Sequence, residues 1–202
     1  YPDYKFMTTL YSDEYLPGKG ELSNNMRNFD RDRMLLFDEK NAFDGIVEDK
    51  LFPVFSNSYE VIIGDRFDVK YSRFSNDRAA EYRIRTDICR DAEGKAHVEK
   101  HPLCKDAEEH IRGMADAYQS LLARYEGGNI SVNTCTLREE DGKVWDSFEF
   151  LPGRLLSELL DECLEKDDLE GFHKLFCEYV ERTGYNPTYP AADFDMIFSN
   201  IM

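Results

Sequence analysis

The sequence predicts an α+β fold in which a β-rich small lobe with one long helix precedes the beginning of a helical lobe. Strand-like runs separated by turn signals dominate residues 51–151, whereas apolar residues recur at helical spacing from residue 152 onward. A Pro-Gly pair at 152–153 separates the two patterns. Residues 1–50 are rich in Tyr, Asp and Asn, and turn signals recur in them, so we expect a lead-in or linker segment there.

Six strands and one long helix are predicted for the small lobe. The strands are Tyr59–Ile63, Phe67–Phe74, Tyr82–Arg90, Lys95–His101, Ile130–Leu137 and Lys143–Leu151. Residues 91–94 predict a hairpin, and residues 139–142 join the last two strands. Between the fourth and fifth strands, apolar residues at a 3.6-residue period predict a helix from about Lys105 to Tyr125, which Gly127 stops.

Two further helices are predicted after the Pro-Gly joint. Their apolar faces extend over residues 155–164 and 169–180. Either Asp167 or Asp168 is expected to cap the second of these helices, and Gly184 is expected to end it. A short helix-like stretch is also predicted within the lead-in segment, at Glu39–Val47.

Composition and charge restrict the class of protein. The chain has 202 residues and is 42% hydrophobic, which is enough for a packed core. Its formal net charge is −16, and the chain lacks the basic surface that a nucleic-acid binder needs. No apolar run approaches the ~18 residues that a membrane span needs. The five cysteines are scattered and form no Cys-x-x-Cys pair, which favours a reducing cytoplasm over disulfides or a zinc site.

Asp195 and Asn200 carry the most specific functional signal. This spacing, with mainly apolar residues between, is that of a kinase catalytic loop, in which the Asp faces the acceptor hydroxyl and the Asn holds magnesium. The alternative is a turn Asp and an ordinary loop Asn. The order of the predicted elements before this loop is that of a protein-kinase-like fold. The second metal-binding Asp of such a fold would lie beyond Met202, and we expect the chain to be a fragment of a larger protein.

Five segments carry a family resemblance. They are Tyr11–Pro17, Arg27–Arg31, Leu51–Ser58, Lys70–Ser72 with Ser75–Arg78, and Phe194–Asn200. The chain resembles the kinase-like domains related to aminoglycoside and choline phosphotransferases over about residues 59–202. Over nearly its whole length it resembles a kinase-like region of large bacterial proteins with methyltransferase or glycosyltransferase modules. The resemblance implies that residues 1–50 are the tail of a methyltransferase-like domain, and it implies a role in surface-glycan synthesis.

The resemblance also implies a nucleotide site that uses ATP and magnesium. Lys100 lies at the position where the nucleotide-binding strand of the family carries the Lys that pairs with the α- and β-phosphates. Glu108, at the edge of the buried helix face, would orient Lys100, whereas Glu109 would face solvent. Asp195 would act as the base or orienting group, and Asn200 would be a magnesium ligand. The alternatives are a surface Lys at a strand end and first-turn acids that favour the helix dipole.

Two departures from the family pattern leave two functions open. Ser75–Ala80 contains no Gly where backbone amides would approach phosphate, and Asp193 replaces the His that precedes the catalytic Asp. One function is a phosphotransferase acting on a small hydroxylated acceptor, a sugar or glycan intermediate. The other is a catalytically inactive kinase-like scaffold that positions neighbouring methyltransferase or glycosyltransferase domains of the same polypeptide.

The spacing of His97 and His101 is that of paired metal ligands on a helix, but both residues fall in a predicted strand. Residues four apart in a strand are ~13 Å from each other, so we expect no zinc ion shared between this pair. Cys89 and Cys104 have no evident base beside them, and no thiol nucleophile is expected.

Overall fold

The computed structural model describes residues 7–24, 36–37, 39–56, 58–63, 68–76, 78–184 and 196–202. It shows a mixed α/β chain with one open, antiparallel, six-stranded sheet. The strands are β1 (Met7–Leu10), β2 (Val69–Ser75), β3 (Ile84–Arg90), β4 (Ala96–Pro102), β5 (Cys135–Glu140) and β6 (Lys143–Glu149), in the spatial order β1-β2-β3-β4-β6-β5.

Helices lie before, within and after the strands. They are α1 (Glu21–Asn24), α2 (Glu39–Glu48), α3 (Phe52–Phe55), α4 (Glu108–Arg124), α5 (Leu156–Glu165) and α6 (Leu169–Thr183). Short 3₁₀ turns occupy Ala80–Tyr82, Lys105–Ala107 and Phe198–Asn200. None of the helices that the structure describes is both long and apolar enough to cross a bilayer.

One predicted strand is wrong, and one observed strand was not predicted. Tyr59–Ile63 has no regular secondary structure, and its apolar side chains are exposed, with Val61 at 80% and Ile63 at 95%. The strand that the sequence did not predict is β1, which pairs antiparallel with β2 and completes the six-stranded sheet. An apolar run forms a strand only where a neighbouring strand pairs with it. The strand that pairs with the outer edge of β2 is β1, which comes from the predicted lead-in segment.

Helix α4 covers one face of the sheet. The buried side chains of Ile84 on β3, Ile111 on α4 and Val144 on β6 form the core cluster, and Met114 and Leu137 pack against it. Ile111 has no exposed surface. The helical period of α4 thus places its apolar stripe on the alternating apolar positions of the strands.

The predicted turn and cap residues act as expected. Asp141 and Gly142 have φ values of 50° and 74°, the left-handed geometry of a tight hairpin turn between β5 and β6. The Asp168 carboxylate accepts a hydrogen bond from the Gly171 amide at 2.9 Å, so Asp168 rather than Asp167 caps α6. Gly184 follows the last residue of that helix.

The lead-in segment packs against the sheet. The Glu14 carboxylate lies 3.6 Å from Lys70 Nζ on β2 and 2.7 Å from Arg90 Nε on β3. The ring of Tyr11 lies edge-on to the rings of Phe52 and Tyr71, with centroids 5.1 and 5.8 Å away. These contacts join residues on both sides of the predicted boundary at residue 50.

The last described residues pack on α5 and α6. The Tyr179 hydroxyl donates to the Met196 carbonyl at 2.8 Å, and the Leu156 amide donates to the Ile201 carbonyl at 2.8 Å. The Phe198 ring lies edge-on to Tyr179 with centroids 4.9 Å apart. The segment that carries Asn200 is therefore attached to the helical part of the chain.

Candidate functional site

Lys100 lies on β4, on the face of the sheet that α4 covers. Its cross-strand neighbours are Thr86 on β3 and Asp146 on β6. Asp146 is two residues from the core residue Val144, and alternate residues of a strand share a face. The structure thus places the predicted phosphate-binding Lys beside the helix predicted to orient it.

Asp146 is an acidic partner for Lys100 that the sequence did not predict. Asp146 has no exposed surface, and neither carboxylate oxygen has a hydrogen-bond partner among the described residues. Burial raises the pKa of the Asp146 carboxyl, while the neighbouring Cys135 thiol and the Lys100 ammonium oppose that rise. The alternation of Val144, Asp146 and Phe148 on one face was the available signal, because it places a carboxylate at an inward position.

Apolar groups complete the surroundings of Lys100. Its Nζ lies 4.9 Å from the centroid of the Phe148 ring, within the range of a cation–π contact. Phe148 is directly opposite Cys135, and burial raises the pKa of that thiol to about 11, with the Asp146 charge adding to the rise. Cys135 is therefore a neutral thiol at pH 7 beside the Asp146 carboxyl.

Glu108 is the first residue of α4 and is half-buried, whereas Glu109 is exposed. The predicted orientations of the two side chains are confirmed. The Lys100 ammonium lies over the Phe148 ring and interacts electrostatically with Asp146. The predicted role of Glu108 in orienting Lys100 stays a prediction.

Asn200 lies at the end of a 3₁₀ turn and is exposed. Its backbone N–H donates to the Ile197 carbonyl at 2.9 Å. Asp195 and Asp193 lie outside the described residues. The predicted pairing of Asp195 with Asn200 therefore stays a prediction.

The connection between β2 and β3, where a kinase would carry its glycine-rich turn, is closed by side chains. The Ser75 hydroxyl donates to the Ile84 carbonyl at 3.0 Å and accepts from the Ile84 amide at 3.1 Å. The Arg83 guanidinium donates to the Arg78 carbonyl at 2.8 Å. These contacts fix the ends of the turn without glycine.

The opposite face of the same strands holds a second polar cluster. His97 Nε2 lies 3.4 Å from a carboxylate oxygen of Glu99, and His101 Nε2 lies 3.0 Å from the other. The Cys89 thiol on β3 lies 4.0 Å from Glu99, and its side chain is buried. The histidines lower the pKa of the Glu99 carboxyl, with the His101 hydrogen bond as the largest cause.

No family model, curated protein or solved structure matches the chain.

Proposed function

We propose that the chain is a kinase-like module that binds ATP through Lys100 and serves phosphate transfer to a small hydroxylated acceptor, a sugar or glycan intermediate. The placement of Lys100 carries the proposal. Strands β2, β3 and β4 are consecutive antiparallel neighbours, Lys100 lies on the third of them, and α4 follows directly. In protein kinases the phosphate-binding Lys is on the third strand, and a Glu of the following helix orients it.

The chemistry around Lys100 suits a phosphate group. An ammonium ion at the edge of an apolar environment attracts phosphate oxygens more strongly than it would in bulk water, because the local dielectric constant is lower. The Phe148 ring and the half-buried Val98, two residues before Lys100, supply such an environment. The buried Asp146 lies directly opposite Lys100 on β6, and its charge would attract the ammonium when no nucleotide is bound.

Magnesium would be held in part by Asn200. Its side-chain carbonyl is an oxygen ligand of the kind that Mg²⁺ prefers, and the side chain is exposed. In this proposal Asp195 faces the acceptor hydroxyl and accepts or orients its proton, as the catalytic-loop Asp of kinases does.

Nucleotide binding to the purified 202-residue chain tests the proposal. ATP would be titrated with and without Mg²⁺ by calorimetry, for the wild type, Lys100→Ala and Lys95→Ala. Lys95 is the matched control, since it precedes the same strand, and its exposed ammonium lies 3.9 Å from Glu149. We expect Lys100→Ala to weaken binding at least about tenfold, the cost of one charged hydrogen-bonding contact, and Lys95→Ala to change it less than twofold.

Two results would overturn the nucleotide site: no ATP binding by a folded wild-type chain, or equal affinities of the two variants. Circular dichroism and thermal melting of each variant separate a lost site from a lost fold. Lys100→Arg adds a second check, because a guanidinium keeps the charge but not the compact ammonium geometry.

A catalytically inactive scaffold is the second candidate, and the glycine-free connection between β2 and β3 favours it. Without glycine, backbone amides cannot approach phosphates as closely. In this case the module positions neighbouring methyltransferase or glycosyltransferase domains. The scaffold hypothesis predicts a stable fold whose melting temperature does not change at millimolar Mg-ATP. A bound nucleotide would instead raise the melting temperature.

A further inference from the structure

The cluster of Cys89, His97 and Glu99 consists of three side chains that commonly bind metal ions. Cys89 on β3 and His97 on β4 are directly opposite each other, and Glu99 follows His97 by two residues. Cross-strand partners and alternate residues of a strand project from the same face. One ligand atom of each residue lies within 4.8 Å of the other two.

The spacing of these atoms is close to that of a tetrahedral zinc site. With zinc–ligand distances of about 2.0–2.3 Å, ligand atoms are about 3.3–3.7 Å from each other. One carboxylate oxygen of Glu99 lies 3.4 Å from His97 Nε2, and the other lies 4.0 Å from Cys89 Sγ. Small side-chain rotations would therefore bring all three atoms onto one ion without movement of the paired strands.

We propose that Cys89, His97 and Glu99 form a binding site for a zinc-type divalent cation, with a fourth coordination position open to solvent. The ligand set of thiolate, imidazole and carboxylate favours zinc, or cobalt in its place, over magnesium or calcium, which prefer oxygen atoms. On binding, the Cys89 S–H bond is broken, the sulfur–metal bond forms, and the proton passes to solvent.

His101 acts as a positioning residue for this site. Its Nε2 lies 3.0 Å from a Glu99 oxygen and 3.7 Å from an oxygen of the buried Asp87. A hydrogen bond from a neighbouring group fixes a ligating carboxylate and tunes its affinity for metal. The Glu99 carboxylate lies 4.0 Å from the Cys89 thiol, and its negative charge attracts a cation to this position.

The site is accessible from solvent. The side chains of His97 and Glu99 are 30% and 25% exposed, whereas Cys89 is buried behind them. A shallow pocket of about 460 Å³, lined by His97, Thr136 and Ser147 among others, opens beside the cluster. An ion can therefore enter without unfolding the sheet. The site lies on the face opposite Lys100, so it does not depend on the proposed nucleotide site.

Cobalt binding to the reduced chain is the direct test. Co²⁺ replaces zinc in such sites, and coordination by a thiolate gives a sulfur-to-cobalt charge-transfer absorption in the near ultraviolet. The chain offers a matched control, because the Cys177 thiol lies 3.5 Å from His173 Nε2 on α6 and forms a second Cys–His pair. The titration would compare the wild type with Cys89→Ser, His97→Gln, Glu99→Gln and Cys177→Ser.

We expect one cobalt ion per chain, displaced by zinc, and a charge-transfer band that persists in Cys177→Ser. The band should disappear in Cys89→Ser, and the affinity should fall at least about tenfold in His97→Gln and Glu99→Gln. His97 and Glu99 are partly exposed, so these two variants keep the test decisive if the buried Cys89→Ser does not fold. No binding at micromolar cobalt, or a band lost only in Cys177→Ser, would overturn the site.

Discussion

Lys100 and Asp146 lie directly opposite each other on β4 and β6, and Asp146 has no surface exposed to solvent. Burial disfavours the ionised form of the Asp146 carboxylate. The partly exposed ammonium of Lys100 offsets only part of that cost, since burial remains the largest influence on the pKa of Asp146. The pair thus links the stability of the sheet to the proposed nucleotide site.

Asp146 should make the fold less stable as the pH rises. Its pKa in the folded chain is raised above the ordinary value of 3.8, so the stability it contributes is fully present below that value. That contribution is lost as the pH rises through the folded-state pKa. Asp146→Asn should therefore raise the free energy of unfolding at pH 7 by about 1 kcal/mol relative to the wild type.

Urea unfolding at pH 5 and pH 8 checks this prediction. The exposed Asp161 on α5 supplies the control variant Asp161→Asn, which removes the same formal charge from a chain with a net charge of −16. A gain in stability that is equal in the two variants would reflect reduced charge repulsion and contradict a special role for Asp146.

The buried pair of Ser72 and Asp87 should stabilise the other face of the sheet. The Ser72 hydroxyl donates to the Asp87 carboxylate at 2.6 Å, and the Arg85 guanidinium donates to the same carboxylate at 2.8 Å. Removing the Ser72 hydroxyl takes this donor away from one oxygen of the buried Asp87 carboxylate, while Arg85 still binds the other. Ser72→Ala should therefore cost about 1–3 kcal/mol in unfolding free energy, against less than about 0.5 for the exposed Ser120→Ala.

A double-mutant cycle that adds Asp87→Ala isolates the interaction of this pair. The coupling energy between the two substitutions should be at least about 0.5 kcal/mol. Additive costs would show that the hydroxyl and the carboxylate stabilise the fold independently.

Ile111 should be the most costly core position on α4. It has no exposed surface and packs between Ile84 and Val144. Ile111→Ala should reduce the free energy of unfolding by about 2–5 kcal/mol, because it removes buried methyl groups and leaves a cavity. Leu122→Ala on the same helix, where the side chain is 40% exposed, should cost clearly less in the same denaturant titration.

Asp167 and Asp168, which precede α6, should contribute differently to stability. Asp168→Ala removes the cap on the Gly171 amide and should cost about 1 kcal/mol. Asp167 has a φ of 58°, a left-handed conformation that glycine adopts without a steric cost. Asp167→Gly should leave the stability unchanged or slightly higher, and thermal melting of the two variants measures the difference. Equal losses would contradict the assignment of the cap.

Local signals in the sequence predicted most of the helices and strands. The turn glycines, the cap of α6 and the apolar stripe of α4 each depend on residues close together in the chain. Strand β1 could not be found in this way, because its four residues gain their stability from pairing with β2, about 60 positions later in the sequence. Tyr59–Ile63 shows the opposite error: its strand-like composition lacks a described partner strand.

The candidate sites depended on sheet order in the same way. The sequence indicated Lys100 by its strand and Glu108 by its helical position, but the approach of Asp146 requires knowing that β6 lies beside β4. The separation of His97 and His101 argued against a shared ion. That argument did not include Cys89, which only the pairing of β3 with β4 brings opposite His97.

Strand β1 also has a consequence for how the chain can be shortened. It covers the outer edge of β2, whose residues 72–75 would otherwise offer unpaired amide and carbonyl groups to any passing strand. A protein expressed from residue 51 onward, as the sequence pattern alone would suggest, loses this cover together with the two ion pairs of Glu14. Such a shortened chain should self-associate edge to edge, and the segment before residue 51 should keep the sheet from polymerising.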